Sequence, residues 1–135
     1  MNEITVCLTA WVATEPTMTV GPSGVRMTSF RIATTSRYFD QQDDCWKDGR
    51  TEWFVARAYR AAALSVKDSI KKGEPIIIKG YFRTSEWEAD SGPRTDLVLD
   101  IIAIGHDLTR GSAQFSRNSN IDLSGNDVRE AQRAS

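Results

Sequence analysis

Residues 51–60 read TEWFVARAYR and alternate at the two-residue period of a β-strand. Trp53, Val55, Arg57 and Tyr59 point one way, while Phe54, Ala56, Ala58 and Arg60 point the other. The second set is small and mostly apolar, which suits a core. The first sets an indole, a guanidinium and a phenol side by side, which suits flat, negatively charged ligands. An ordinary half-buried strand with amphipathic side chains outward fits the same letters, so this face needs support from the rest of the chain.

Directly after Arg60 the period changes. In AAALSVKDSIKKG the residues Ala63, Leu64, Val66, Lys67 and Ile70 give a short helix with one apolar side, and Lys71, Lys72 and Gly73 form a stop signal. Three alanines at its start favour helix and allow close packing.

Four further stretches alternate like strands. In residues 4–12, Ile4, Val6 and Leu8 lie opposite Thr5, Cys7, Thr9 and Trp11. Glu15 and Pro16 end that strand, and the Gly-Pro-Ser-Gly run that follows is a turn signature. In residues 25–37, Thr28, Phe30 and Ile32 face away from Met27, Ser29, Arg31, Ala33 and Thr35. In residues 76–87, Ile76, Ile78, Gly80 and Phe82 oppose Ile77, Lys79, Tyr81, Arg83, Ser85 and Trp87, so cations and aromatics again share a face. Residues 95–104 are nearly continuously apolar, as expected of a strand covered on much of both sides. Two segments are expected as loops. One is residues 38–50, polar with Tyr38, Phe39 and Trp46, where Asp48-Gly49 favours a hairpin return and Cys45 lies in the loop. The other is residues 88–93, acidic with Gly92-Pro93.

Five strands with one short helix between the third and fourth match the order of the OB-fold, an all-β, five-stranded, partly open barrel whose middle strands and loops bind oligonucleotides. Residues 1–110 form this domain. Residues 111–135 turn polar and are expected to be a largely unpacked tail, with a helical fragment near 128–133.

The aromatic faces can now be weighed together. Arg31, Arg37, Trp53, Arg57, Tyr59, Lys79, Arg83 and Trp87 lie opposite the expected core or beside it, and Tyr38, Phe39 and Trp46 lie in the loop overhanging them. Each exposed ring offers a base a stacking surface worth about 1 to 3 kcal/mol without reading which base it is. Arginines and lysines between rings track phosphates. For Trp11 and Tyr81 the favoured alternative is core or subunit interface.

Other classes find less support. The formal net charge of −1 argues against nucleic-acid binding by basicity alone, and is outweighed only if cations collect on one face while the acids sit elsewhere. Two cysteines and one histidine, with no CxxC pair, leave no closed zinc site, and no cofactor is expected. The cysteines are expected as free thiols, with an intermolecular disulfide through Cys45 as the alternative. His106-Asp107 follows a glycine and reads as a satisfied turn; no nucleophile motif or phosphate-cradling glycine loop accompanies it, so no enzyme is expected. No run is long and apolar enough for a bilayer, and the start carries no secretory pattern, which gives a cytoplasmic expectation with no membrane partner.

At four ordered places, TSFRIATTSRYFD, WKDGRTEWFVARAYRAAA, KKGEPIIIKGYFRTSEWE and DIIAIGHDL, the chain resembles the bacterial single-stranded DNA-binding proteins, particularly their actinobacterial branch. The likeness spans about residues 1–110. It implies sequence-tolerant binding of single-stranded DNA in replication, repair and recombination, usually by a homotetramer. Carried over residue by residue, the family's strand-three stacking tryptophan matches Trp53, its second aromatic there matches Tyr59, and the tryptophan after a basic hairpin segment matches Trp87. The aromatic after strand two falls on Tyr38 or Phe39. Two features depart from the family pattern. Thr9-Ala10-Trp11 replaces the usual Gly-Asn-Leu of the pairing strand, which keeps a dimer open beside the tetramer. The end, Arg133-Ala134-Ser135, lacks the acidic tip through which many members recruit repair enzymes, so such recruitment is expected to be weak or absent, as in a short paralogue. An OB domain that binds RNA or a protein is the alternative, because stacking faces do not by themselves separate DNA from RNA.

Overall fold

The computed structural model describes residues 3–118; the helical fragment expected near 128–133 lies outside the described residues. In chain order the elements are β1 (Ile4–Val12), β2 (Thr17–Val20), β3 (Arg26–Asp40), β4 (Cys45–Tyr59), α1 (Ala61–Ser69), β5 (Pro75–Ala89) and β6 (Gly92–His106). The strands run β1-β5-β6-β4-β3-β2, and a further pairing of β1 with β3 closes five of them into a ring. That is the expected barrel, with α1 between its third and fourth staves. The added strand, β2, is four residues paired to the edge of β3, in the stretch read as a turn.

Closure depends on two contacts that local pattern does not reveal. β4 and β6 pair in parallel through Val55↔Val98, Ala56↔Leu99 and Arg57↔Asp100. β1 meets β3 at Trp11↔Ala33 and Val12↔Ile32. Inside the ring sit the residues that alternation assigns inward: Ala10, Val12, Phe30, Ile32, Ala56, Ala58, Ile76, Ile78 and Leu99. Small Ala56 and Ala58 leave room for α1, whose Val66 and the following Ile70 join the core. Thr28, buried beneath the helix, donates its hydroxyl to the Ala63 carbonyl at 2.7 Å, so the one buried polar side chain on this face is satisfied.

The helix stops at Ser69, short of the lysine-glycine stop signal, because Ile70 takes an extended backbone and turns its side chain into the core. Gly73 acts further on. Its φ of +91° suits a residue without a Cβ, and its N–H donates to the Val12 carbonyl at 2.8 Å, tying the turn to β1.

Three expectations need correction. Residues 38–50 are not a long loop: β3 and β4 stay paired to Asp40↔Cys45, making a long ribbon that turns only at 41–44, and Cys45 opens β4. Asp48-Gly49 is not the return. The pairing jumps from Thr35↔Thr51 to Arg37↔Asp48, which leaves one extra residue on β4, and a Cβ on Gly49 would lie 2.6 Å from Ser36 Oγ. Residues 88–93 are likewise mostly strand, with pairs continuing to Ala89↔Gly92.

The last strand is covered on both sides only around Val98 and Leu99. Beyond them the register shifts at Lys79 and Gly80, Ile102 and Ala103 both become exposed, and inward packing resumes at Ile104. Here two β6 residues oppose one β5 step, so an apolar run that reads as buried on both sides is a bulge.

Candidate nucleic-acid interface

Directly paired residues on neighbouring strands share a face, so the registers show which side chains stand together. On β3 and β4 the outward pairs are Met27↔Tyr59, Ser29↔Arg57, Arg31↔Val55 and Ala33↔Trp53. The small alanine opposite Trp53 leaves its side chain uncrowded. The Trp53 ring is 49% exposed, and the Arg31 guanidinium lies over it at 5.7 Å from the centroid. One side chain thus presents a π-face already partnered by a cation.

The bulge at Gly49 carries this face onto the ribbon. Strict alternation would put Trp46, seven residues before Trp53, on the opposite side; the extra residue restores it to the same side. Phe39 pairs with Trp46 and meets its ring edge-on at 5.6 Å between centroids, while Tyr38 pairs with Lys47 on the reverse. Of the two aromatics that sequence left undecided, Phe39 shares the Trp53 face. Arg37 lies on that face too, beside Asp48 at 3.6 Å. Lys47 holds the ribbon's end by reaching Asp43 and, at 2.9 Å, Asp40. The bond from Lys47, helped by two backbone amides, keeps the Asp40 carboxyl below the usual carboxylate range.

The second ribbon presents Trp87, 47% exposed and paired with Arg94. Lower on the barrel, Tyr59 from β4, Arg83 from β5 and Asp100 from β6 converge. Asp100 accepts from the Tyr59 hydroxyl at 3.0 Å and from Arg83 Nε at 2.7 Å and Nη2 at 3.4 Å. The hydrogen bond to Asp100 is the chief reason the Arg83 guanidinium lies above its ordinary range. Arg57, the register partner of Asp100, has its Nε buried without a hydrogen-bond partner.

Several expected site residues fall elsewhere or are already engaged: Tyr38 faces the reverse side, Tyr59 is bonded to Asp100 and Arg37 stands against Asp48. Lys79 is exposed, but its neighbours are Cys7 of β1 and Ala103 of β6, so it stands at the β1–β5 seam rather than beside β4. Arg83 is held by Asp100, a residue that sequence reasoning missed. Its place inside a nearly continuous apolar run, a lone acid between Leu99 and Ile101, was the available signal.

The acids are not confined to loops. Asp48, Asp40 and Asp100 sit on strands against Arg37, Lys47 and Arg83. Among the described residues, Arg31 and Arg57 have no carboxylate partner.

Trp11 and Tyr81, expected in core or interface, are both exposed in the single chain, and Arg110 lies over the Trp11 ring at 5.3 Å. Cys7 and Cys45 are exposed free thiols. His106 Nε2 lies 3.0 Å from Glu74 Oε1, tying the end of β6 to the turn before β5, and Asp107 caps its own turn through Thr109. Among the described residues no group of three or more His, Cys, Asp or Glu side chains could hold a metal, and no helix is long and apolar enough to cross a membrane.

Comparison with known proteins agrees with this geometry. The model of the Single-strand binding protein family matches residues 1–106. Single-stranded DNA-binding protein 2 of Streptomyces avermitilis is 39% identical over 119 residues, 88% of this chain and 75% of that protein. Single-stranded DNA-binding protein 1 of Streptomyces coelicolor is 37% identical over 127 residues, 92% of this chain and 79% of that one. Among solved structures, a small single-stranded DNA-binding protein from Streptomyces coelicolor superposes with a TM-score of 0.74 at 36% identity, covering 82% of this chain and 100% of that one. A closed barrel with an aromatic and cationic outer face, matched by the family model across residues 1–106 and by these relatives over most of the chain, makes the chain a member of the single-strand binding protein family.

Proposed function

We propose that this protein binds single-stranded DNA without regard to sequence, by stacking bases on Trp53, Phe39, Trp46 and Trp87 and drawing phosphates to Arg31, Arg57 and Arg37. The observation that carries this reading is the Trp53 face itself: an exposed indole under a guanidinium, on a strand whose other side gives Ala56 and Ala58 to the core. Such rings gain about 1 to 3 kcal/mol per stacked base and read none of its edges. The names of the Streptomyces relatives support the same ligand. By the family's nature the work is protection of exposed strands in replication, recombination and repair, in the cytoplasm and on the nucleoid, without catalysis. The bonding of His106 to Glu74 gives that histidine a structural task, which supports the last point. The domain comprises residues 1–110 and the tail 111–135.

Assembly belongs to the same proposal. Trp11, Ile77 and Tyr81 expose aromatic and apolar surface on β1 and β5, and a second copy covering it would give a dimer or, by repetition, a tetramer. Light scattering, reduced and oxidised, reads the copy number and any cross-link through Cys7 or Cys45. The ligand is tested by competition among a single-stranded DNA, its duplex and the matching RNA strand. Preference for the DNA strand is expected; preference for the duplex, or for none, overturns the reading.

A further inference from the structure

On the outer face of the barrel one carboxylate takes up the donors of an arginine and a tyrosine. Asp100 receives the Tyr59 hydroxyl and both Nε and Nη2 of Arg83, and it stands in register with Arg57. These are the contacts an arginine would offer a phosphate oxygen pair. Arg83 is satisfied in this way, whereas Arg57 Nε is buried and unpartnered. A buried donor left without an acceptor is costly, and Arg57 lacks the internal partner that Arg83 has. The two arginines therefore differ in readiness although both face outward.

We propose that Asp100 is an internal competitor for phosphate: it holds Arg83 away from the nucleic acid and leaves Arg57 as the responsive cation at this level of the barrel. The proposal rests on the single-strand binding reading given above. For Arg83 to bind a phosphate, the strand must break a two-point, charge-assisted contact and approach a fixed negative charge, so Asp100 lowers both affinity and the number of phosphates neutralised. It also fixes the Tyr59 ring by its hydroxyl, keeping that aromatic in place while silencing the cation beside it.

The test is a double-mutant cycle on Asp100→Asn and Arg83→Ala, read as binding to a dT oligomer across a salt series. Each phosphate neutralised on a single strand adds about 0.7 to the slope of log affinity against log salt. Asp100→Asn is expected to tighten binding severalfold and to steepen the slope by about 0.7, one phosphate's worth. Arg83→Ala should remove that gain in the Asp100→Asn background and cost less than half as much slope in the parent. Equal or greater loss from Arg83→Ala in the parent, or unchanged or weaker binding by Asp100→Asn, overturns the proposal. If Asp100→Asn does not fold, Arg83→Ala in the parent decides alone: a loss of about 0.7 in slope shows that Arg83 already contacts phosphate and the idea fails. Failure of the underlying function reads differently, since the parent would then show no preference for the single strand.

Discussion

At the scale of single residues, the interface depends on which cations are free and which rings are turned outward. Arg57 is a cation with no carboxylate bonded to it, and its Nε is buried with no acceptor. Arg57→Ala should therefore flatten the salt dependence of single-strand binding by about 0.7 in the log–log slope, as measured by titration at several salt concentrations. A parental slope near zero would show that phosphates are not engaged at all. Trp53, Arg57 and Tyr59 were legible in the sequence because one uninterrupted two-residue period carries them, and period two is the geometry of the element itself. Phe39 was not separable from Tyr38 because residues 38–50 read as a loop, where alternation assigns no face. The face of Trp46 was hidden because the extra residue at Gly49 reverses the parity of β4. Asp100 escaped for a different reason: its role comes from three strands meeting, and its own neighbours in sequence are core residues.

At the scale of elements, α1 and the two ribbons do different work. The helix closes one end of the barrel, and Ile78, fully buried on β5, belongs to the core cluster that α1 completes. Ile78→Ala should cost about 2 to 5 kcal/mol of stability, seen as a lower urea midpoint at an unchanged denaturant slope. The turn after the helix is fixed by Glu74, which accepts from the Lys71 amide at 2.7 Å and pairs with His106. Partial burial pushes its carboxyl up, but the His106 ring and the Lys71 amide outweigh this and hold it below its ordinary 4.5. A carboxyl depressed in the folded state contributes stability that is complete above its ordinary value and is lost as pH falls through the folded one. The stability difference between the parent and Glu74→Gln should accordingly shrink as pH falls below 4.5, in denaturation series at stepped pH. A difference that grows on acidification would assign the contact another role. Sequence pattern found the helix and five strands because each repeats its period over several residues. It mistook the ends of both ribbons, residues 38–50 and 88–93, for loops because these segments are mostly polar and turn-rich. A strand pair projecting beyond the core lacks the continuous apolar face that would reveal it.

At the scale of the whole molecule, a formal charge of −1 must be reconciled with a polyanionic ligand. The cations are not massed on one face as basicity alone would require; Arg37, Lys47 and Arg83 each stand against a strand-borne carboxylate. Ring closure was legible only as a fold class, from the order of five strands and a helix, while the parallel β4–β6 pairing depends on residues more than 40 apart in sequence. What the closed barrel supplies is rigidity: it holds Trp53 outward by committing Phe54, Ala56 and Ala58 to the other side. If net charge does not carry the binding, stacking must. Binding of a dT oligomer by Trp53→Ala and by the parent, at one salt concentration high enough to screen exposed charges, therefore tests this account most directly. The expected result is a loss of about 1 to 3 kcal/mol that recurs with oligomers of other base composition. Equal affinity of the two proteins would contradict it.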